Sequence, residues 1–195
     1  MNKRVILITG TPCVGKTSVA QQLTAELNAL YINLTKFSEK HRLTLGEDEK
    51  RKSTIIDEEK MRMKISETID KTEKCNIIID GHYASAVVPK RFPTRIFVLR
   101  RNPIELRIIM EKCGFSGTKL WENLASEILD VCLVEALAEH DKKKVCELDV
   151  TGKTVEKVTR EIISILDDRK KCFVGCVDWL GMLERESITG EYLKI

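Results

Sequence analysis

Gly10-Thr-Pro-Cys-Val-Gly15-Lys16-Thr17 has the spacing G-x-x-x-x-G-K-[ST], and the segments around it decide how it is read. Before it, Arg4-Val-Ile-Leu-Ile-Thr9 is a β-branched apolar run, which predicts a short buried strand. After it, Val19, Leu23 and Leu27 take up helical spacing. Strand, glycine loop and helix in that order predict a phosphate-binding loop, because the loop N–H groups and the helix N-terminus surround anionic oxygens. Lys16 then neutralises β- and γ-phosphates, the Thr17 hydroxyl is placed to ligate magnesium, and Ser18 adds a further hydrogen bond. ATP and Mg2+ are the cofactors this motif predicts.

Further along, Asn76-Ile-Ile-Ile-Asp80 and Arg95-Ile-Phe-Val-Leu99 are unbroken apolar runs, the pattern of central strands in a parallel sheet covered on both faces. Tyr31 to Leu34 and Lys144 to Val150 predict two more strands. Helices are predicted from Asp57 to about Lys74, from Pro103 to about Lys112, along Leu120, Leu124, Ile128 and Cys132, and after Thr154. The alternation predicts α/β architecture: a P-loop NTPase with a doubly wound, five-stranded parallel sheet in one domain over residues 1–195. The polar stretch from Thr35 to Thr54 reads as a flap. The tail from Cys172 to Ile195, with Phe173, Trp179 and Leu183, reads as packing on its own domain.

Asp80 closes a strand, where a carboxylate can hold magnesium. A strand-end aspartate can also simply cap the following turn. His82, two residues on, either positions water or acceptor or is an ordinary turn residue. Arg100 and Arg101 close another strand, and Arg100 is the preferred cation for the migrating phosphoryl group, with Arg107 and Lys112 nearer the lid. Lys40, Arg42, Arg51 and Lys52 in the flap read as solvated surface. Asp149-Val-Thr-Gly-Lys153 follows a strand, so Lys153 is placed to line an adenine pocket.

Composition excludes several classes. Thirty-three Lys and Arg against thirty Asp and Glu leave a net charge of +3, too little for wholesale wrapping of nucleic acid. No apolar run is long enough for a membrane span and no leader pattern is present, so a soluble cytoplasmic protein, or a nuclear one in a eukaryote, is expected. Seven scattered cysteines lack zinc-site spacing; Cys132 and Cys146 read as reduced core residues, while the redox state of Cys172 and Cys176 stays open. The absence of an Asn-Lys-x-Asp segment disfavours a guanine-specific switch.

Taken together, Gly10-Thr-Pro-x-Val-Gly-Lys-Thr17, Tyr31-Ile-Asn33, Ile56-Asp-Glu58, Asp80-x-His82, Phe97-Val-Leu-Arg100 and Gly114-Phe through Lys119-Leu120 to Asn123 and Glu127 resemble the adenylate kinase isoenzyme 6 family. The likeness covers about residues 4 to 168. It implies a nucleoside monophosphate kinase that also hydrolyses ATP and serves in small-ribosomal-subunit maturation, with a small-subunit ribosomal protein as partner. It further implies a monophosphate-binding flap at about 33–56, a lid at about 112–122 and a Walker-B role for Asp80 and His82. The residues expected to be catalytic are Lys16, Asp80, His82 and Arg100. Nucleotide contacts fall on Gly10, Cys13, Val14, Gly15, Lys16, Thr17 and Ser18, on Cys113 and on Lys153. Three positions depart from the pattern: Cys13 replaces a glycine, and Ile109 and Cys113 replace arginines. The second reading is an ATPase assembly factor with little kinase activity.

Overall fold

The computed structural model describes residues 3–48 and 53–194. Five parallel strands form the main sheet in the order β2 (Leu30–Asn33), β5 (Asn76–Asp80), β1 (Arg4–Thr9), β6 (Pro93–Arg100), β7 (Val145–Asp149). Side chains alternate across a strand, and β1 shows the result: Ile6 and Ile8 enter one core while Val5 and Leu7 enter the other. The first core is closed by α1 (Lys16–Glu26), α5 (Pro103–Lys112), α6 (Gly117–Ile128) and α8 (Val155–Leu166). The second is closed by α3 (Glu58–Lys71), α4 (Ala84–Val87) and α7 (Val131–Glu139). Apolar strands buried on both faces are what a parallel sheet requires. No described helix is long and apolar enough to cross a membrane.

The helix starts follow side-chain chemistry: Asp57, Asn102 and Thr154 each cap a helix by accepting a backbone N–H, and Pro103 follows at the first turn. Elsewhere the sequence pattern misleads. The polar flap contains α2 (Leu34–His41), capped by Asn33, and an antiparallel pair, β3 (Thr44–Asp48) with β4 (Ser53–Ile56). Leu34 therefore opens a helix instead of closing the second strand. Arg51 and Lys52 lie outside the described residues. The stripe from Leu120 to Cys132 is two helices, because Asp130 adopts φ 59° and breaks the ladder between α6 and α7.

Cys146 is not a reduced core thiol: it forms a disulfide with Cys172, which fastens the C-terminal segment to β7, whereas Cys176 is free. That segment continues into α9 (Trp179–Arg185) and α10 (Thr189–Tyr192). Trp179 and Leu183 are buried, as expected of a tail packed on its own domain, whereas Phe173 is 60% exposed.

Candidate functional site

Strand β1 delivers the chain to the C-terminal edge of the sheet, where open α/β folds bind ligands. At Gly10 the backbone turns with φ 134°, and a Cβ there would lie 2.4 Å from the Leu99 carbonyl oxygen. Only glycine fits that approach. The loop then reaches α1, whose first residue is Lys16. The ammonium of Lys16 donates to the Thr11 carbonyl at 2.8 Å. Desolvation lowers its pKa, opposed chiefly by the Cys132 and Asp80 side chains. Thr17 and Ser18 stand exposed at the same helix start.

The Thr17 hydroxyl donates to Asp80 Oδ2 at 2.8 Å. Tyr31 and Asn33 donate to the same oxygen at 2.9 Å each. Register explains the meeting, since Asn33 pairs with Asp80 across β2 and β5, and Ile8 pairs with it from β1. Burial, followed by the neighbouring Asp80 charge, pushes the Tyr31 hydroxyl up to about 12, so it remains a donor. Asp80 itself is 1% exposed, so it is a buried carboxylate held by three donors rather than a turn cap. His82 sits just beyond, its ring edge-on to Tyr83 at 4.8 Å. The residue is exposed to solvent, yet desolvation, followed by the Lys16 ammonium, lowers the ring to about 4, with Lys119 adding to the effect and Asp80 opposing it. The imidazole is neutral at pH 7.

Two sequence-based assignments are corrected. Arg100 does not face the loop. Its guanidinium is 2% exposed and is enclosed by Glu127 at 2.9 Å, Glu147 at 2.7 Å and Asp130, so its charge is already matched by buried carboxylates. Lys153 does not line a base pocket with its side chain, because its ammonium pairs with Glu161 on α8 at 2.9 Å. The arginine beside the loop is Arg101, which donates to the Val14 carbonyl at 3.2 Å and pairs with Glu105. Tandem arginines at a strand end carry one usable signal: alternation sends one inward and the next outward.

Glu127 is a second residue whose role only the fold reveals. It accepts from Thr11 in the loop at 2.6 Å, from the Arg101 N–H at 3.0 Å, from Arg100 and from the Trp179 indole at 3.1 Å. Beside Asp80, on the flap side, lies a hollow of about 390 Å3 lined by Gln21, Tyr31, Asn33, Lys36, Phe37 and Lys40. Lys40, read as solvated surface, faces this hollow. On the other side Cys113, Gly114, Phe115, Ser116 and Lys119 line a smaller one of about 250 Å3.

Sheet order, glycine loop and strand-end carboxylate define the chain as a P-loop NTPase. Solved structures agree on the fold: Candida albicans thymidylate kinase superimposes with TM-score 0.56 at 18% identity over 86% of this chain and 92% of that one. Bacteroides thetaiotaomicron shikimate kinase gives 0.57 at 16% identity over 84% and 98%. A family profile described as an AAA domain matches residues 6–130. Proteins named "Putative adenylate kinase" are 40% identical in Methanocaldococcus jannaschii, over 89% of this chain and 92% of that protein, and 36% identical in Pyrococcus furiosus, over 92% and 93%. The chain belongs to this adenylate kinase-like family.

Proposed function

We propose that the protein is a nucleoside monophosphate kinase that transfers the terminal phosphoryl group of ATP to AMP or another monophosphate. The observation that carries this reading is the hollow beside Asp80: it shares Tyr31 and Asn33 with the carboxylate's own anchors and adds Lys36, Lys40 and the Phe37 ring. A base can stack on that ring and a phosphate can meet those ammonium groups, beside the place where the loop would present the γ-phosphate. The hydroxyl of Thr17 and the carboxylate of Asp80 are hard oxygen donors suited to magnesium, which would neutralise charge on the β- and γ-phosphates. Lys16 and the loop N–H groups orient the donor, and the neutral His82 ring at the rim is placed to orient water or acceptor. The test is ADP formation from ATP across a panel of monophosphates, beside ATP alone. At least one monophosphate should raise the rate well above the ATP-only rate; equal rates throughout would sink the kinase reading.

A second reading, an ATPase whose cycle acts on a small-subunit ribosomal protein, has one observation in its favour. Ile109 and Cys113 bring no cation to the lid, and Arg100 is enclosed elsewhere. His82 separates the two activities. Substituting His82→Ala should leave ATP affinity nearly unchanged and slow hydrolysis on the order of ten- to a hundredfold, while phosphoryl transfer, which needs no positioned water, suffers less. Because the ring is held to about 4, its protonation should not shape the rate between about pH 6 and 8. A limb near pH 6.5 that vanishes in the variant, or a large loss of ATP affinity, would refute this assignment.

A further inference from the structure

Helix α6 ends against the phosphate loop, and Glu127 near its C-terminus makes the contact. This residue lies 116 positions from Thr11 along the chain, yet its Oε2 accepts the Thr11 hydroxyl at 2.6 Å. Both residues are 1% exposed, so the bond is made away from water, where it is electrostatically stronger. The Thr11 carbonyl in turn accepts the Lys16 ammonium at 2.8 Å. Thr11 is thus held by its side chain and holds Lys16 with its backbone. Through Oε1, Glu127 accepts the Arg101 backbone N–H at 3.0 Å, and the Arg101 side chain donates to the Val14 carbonyl at 3.2 Å, farther along the loop. Neutralising Arg100 does not account for this carboxylate, because that single guanidinium already faces Glu147 and Asp130.

We propose that Glu127 is a positioning residue for phosphoryl transfer: it fixes Thr11 and, through it, sets the phosphate loop and the Lys16 ammonium in the shape that receives ATP. The inference rests on the ATP-binding reading above and adds to it a residue buried behind the loop. A loop of glycines and short side chains has many conformations open to it, and selecting one of them on binding would weaken affinity. The carboxylate clamp on Thr11, with Arg101 on Val14, makes that selection before ATP arrives. Once ATP is bound, its phosphates themselves order the loop and engage the ammonium. The clamp therefore acts mainly on affinity and less on the rate at saturation, which sets Glu127 apart from Lys16.

The test compares two variants that each take one neutral donor from the same carboxylate. Thr11→Val removes the hydroxyl from Oε2, and Trp179→Phe removes the indole N–H that Oε1 accepts at 3.1 Å. For each, calorimetry gives the ATP dissociation constant, a thermal melt gives the stability without nucleotide, and steady-state assays give kcat at saturating ATP. Both variants should melt below the parent, since each leaves a buried acceptor short of a donor. Only Thr11→Val should lose ATP affinity, on the order of tenfold, the scale of one hydrogen bond to a charged group, with a smaller change in kcat. Thr11→Ser, which keeps the hydroxyl, should restore most of that affinity. If the valine variant does not fold, Thr11→Ala removes the same hydroxyl with a smaller side chain, and the same loss is expected. Parental ATP affinity in a folded variant without the hydroxyl, an equal loss of affinity in Trp179→Phe, or no rescue by serine would each overturn the assignment and leave Glu127 a core residue. Failure of the parent protein to bind ATP would instead overturn the cradle reading itself, so the two failures are distinguishable.

Discussion

Lys16→Ala should fold like the parent chain and lose phosphoryl transfer and hydrolysis together, by on the order of a hundred- to a thousandfold. Its ammonium is the cation that the loop itself holds, bonded to the Thr11 carbonyl at 2.8 Å. It stands at the start of α1 with part of its surface open, so its removal opens no core cavity. Desolvation disfavours its charge, with Cys132 and Asp80 the main opposing influences. Phosphate oxygens entering the loop would pair with that charge, and the benefit grows as negative charge moves onto the leaving oxygen. Steady-state ADP formation beside a thermal melt checks the result. Near-parental turnover would show that the loop is not the catalytic cradle.

Arg100→Ala should do the opposite, acting first on stability. The guanidinium sits among Glu127, Glu147 and Asp130, and the first two of these carboxylates are 1% and 0% exposed. Removing it leaves buried like charges without their cation, a loss of about 3–5 kcal/mol. Even Arg100→Lys should fall short of restoring it, because a single ammonium cannot reach three carboxylates as the planar fork does. Urea denaturation measures the change directly. If the alanine variant melts like the parent but loses turnover, Arg100 belongs to the chemistry after all.

The contrast between these residues shows which parts of the site the sequence could reveal. Lys16, Thr17 and Asp80 were legible because local signals place them: a spaced glycine loop after one apolar run, and a carboxylate closing another. The strands at the centre of the sheet are legible for the same reason, as burial on both faces leaves runs such as Asn76–Asp80 without polar alternation. Arg100 was misjudged because its partners lie 27 to 47 residues away along the chain, and nothing local distinguishes a buried arginine from one facing a ligand. Helix α2 escapes the sequence pattern because Leu34 and Phe37 supply too little apolar periodicity among charged neighbours, and the Asn33 cap lies inside the stretch that reads as a strand. The Cys146–Cys172 link has the same character. Twenty-six residues separate the partners, and only the packing of the tail along β7 brings them together.

Glu127 binds the loop hydroxyl of Thr11 through one oxygen and the indole N–H of Trp179 through the other. The chain has two tryptophans. The other, Trp121, lies beneath the Arg107 and Lys194 side chains, away from this carboxylate. A buried indole whose N–H rests on an anion is an optical reporter, since its emission responds to the field of that charge. Any rearrangement of Thr11 that shifts the carboxylate is thereby transmitted to Trp179, and the protein carries an intrinsic fluorophore wired to its phosphate loop.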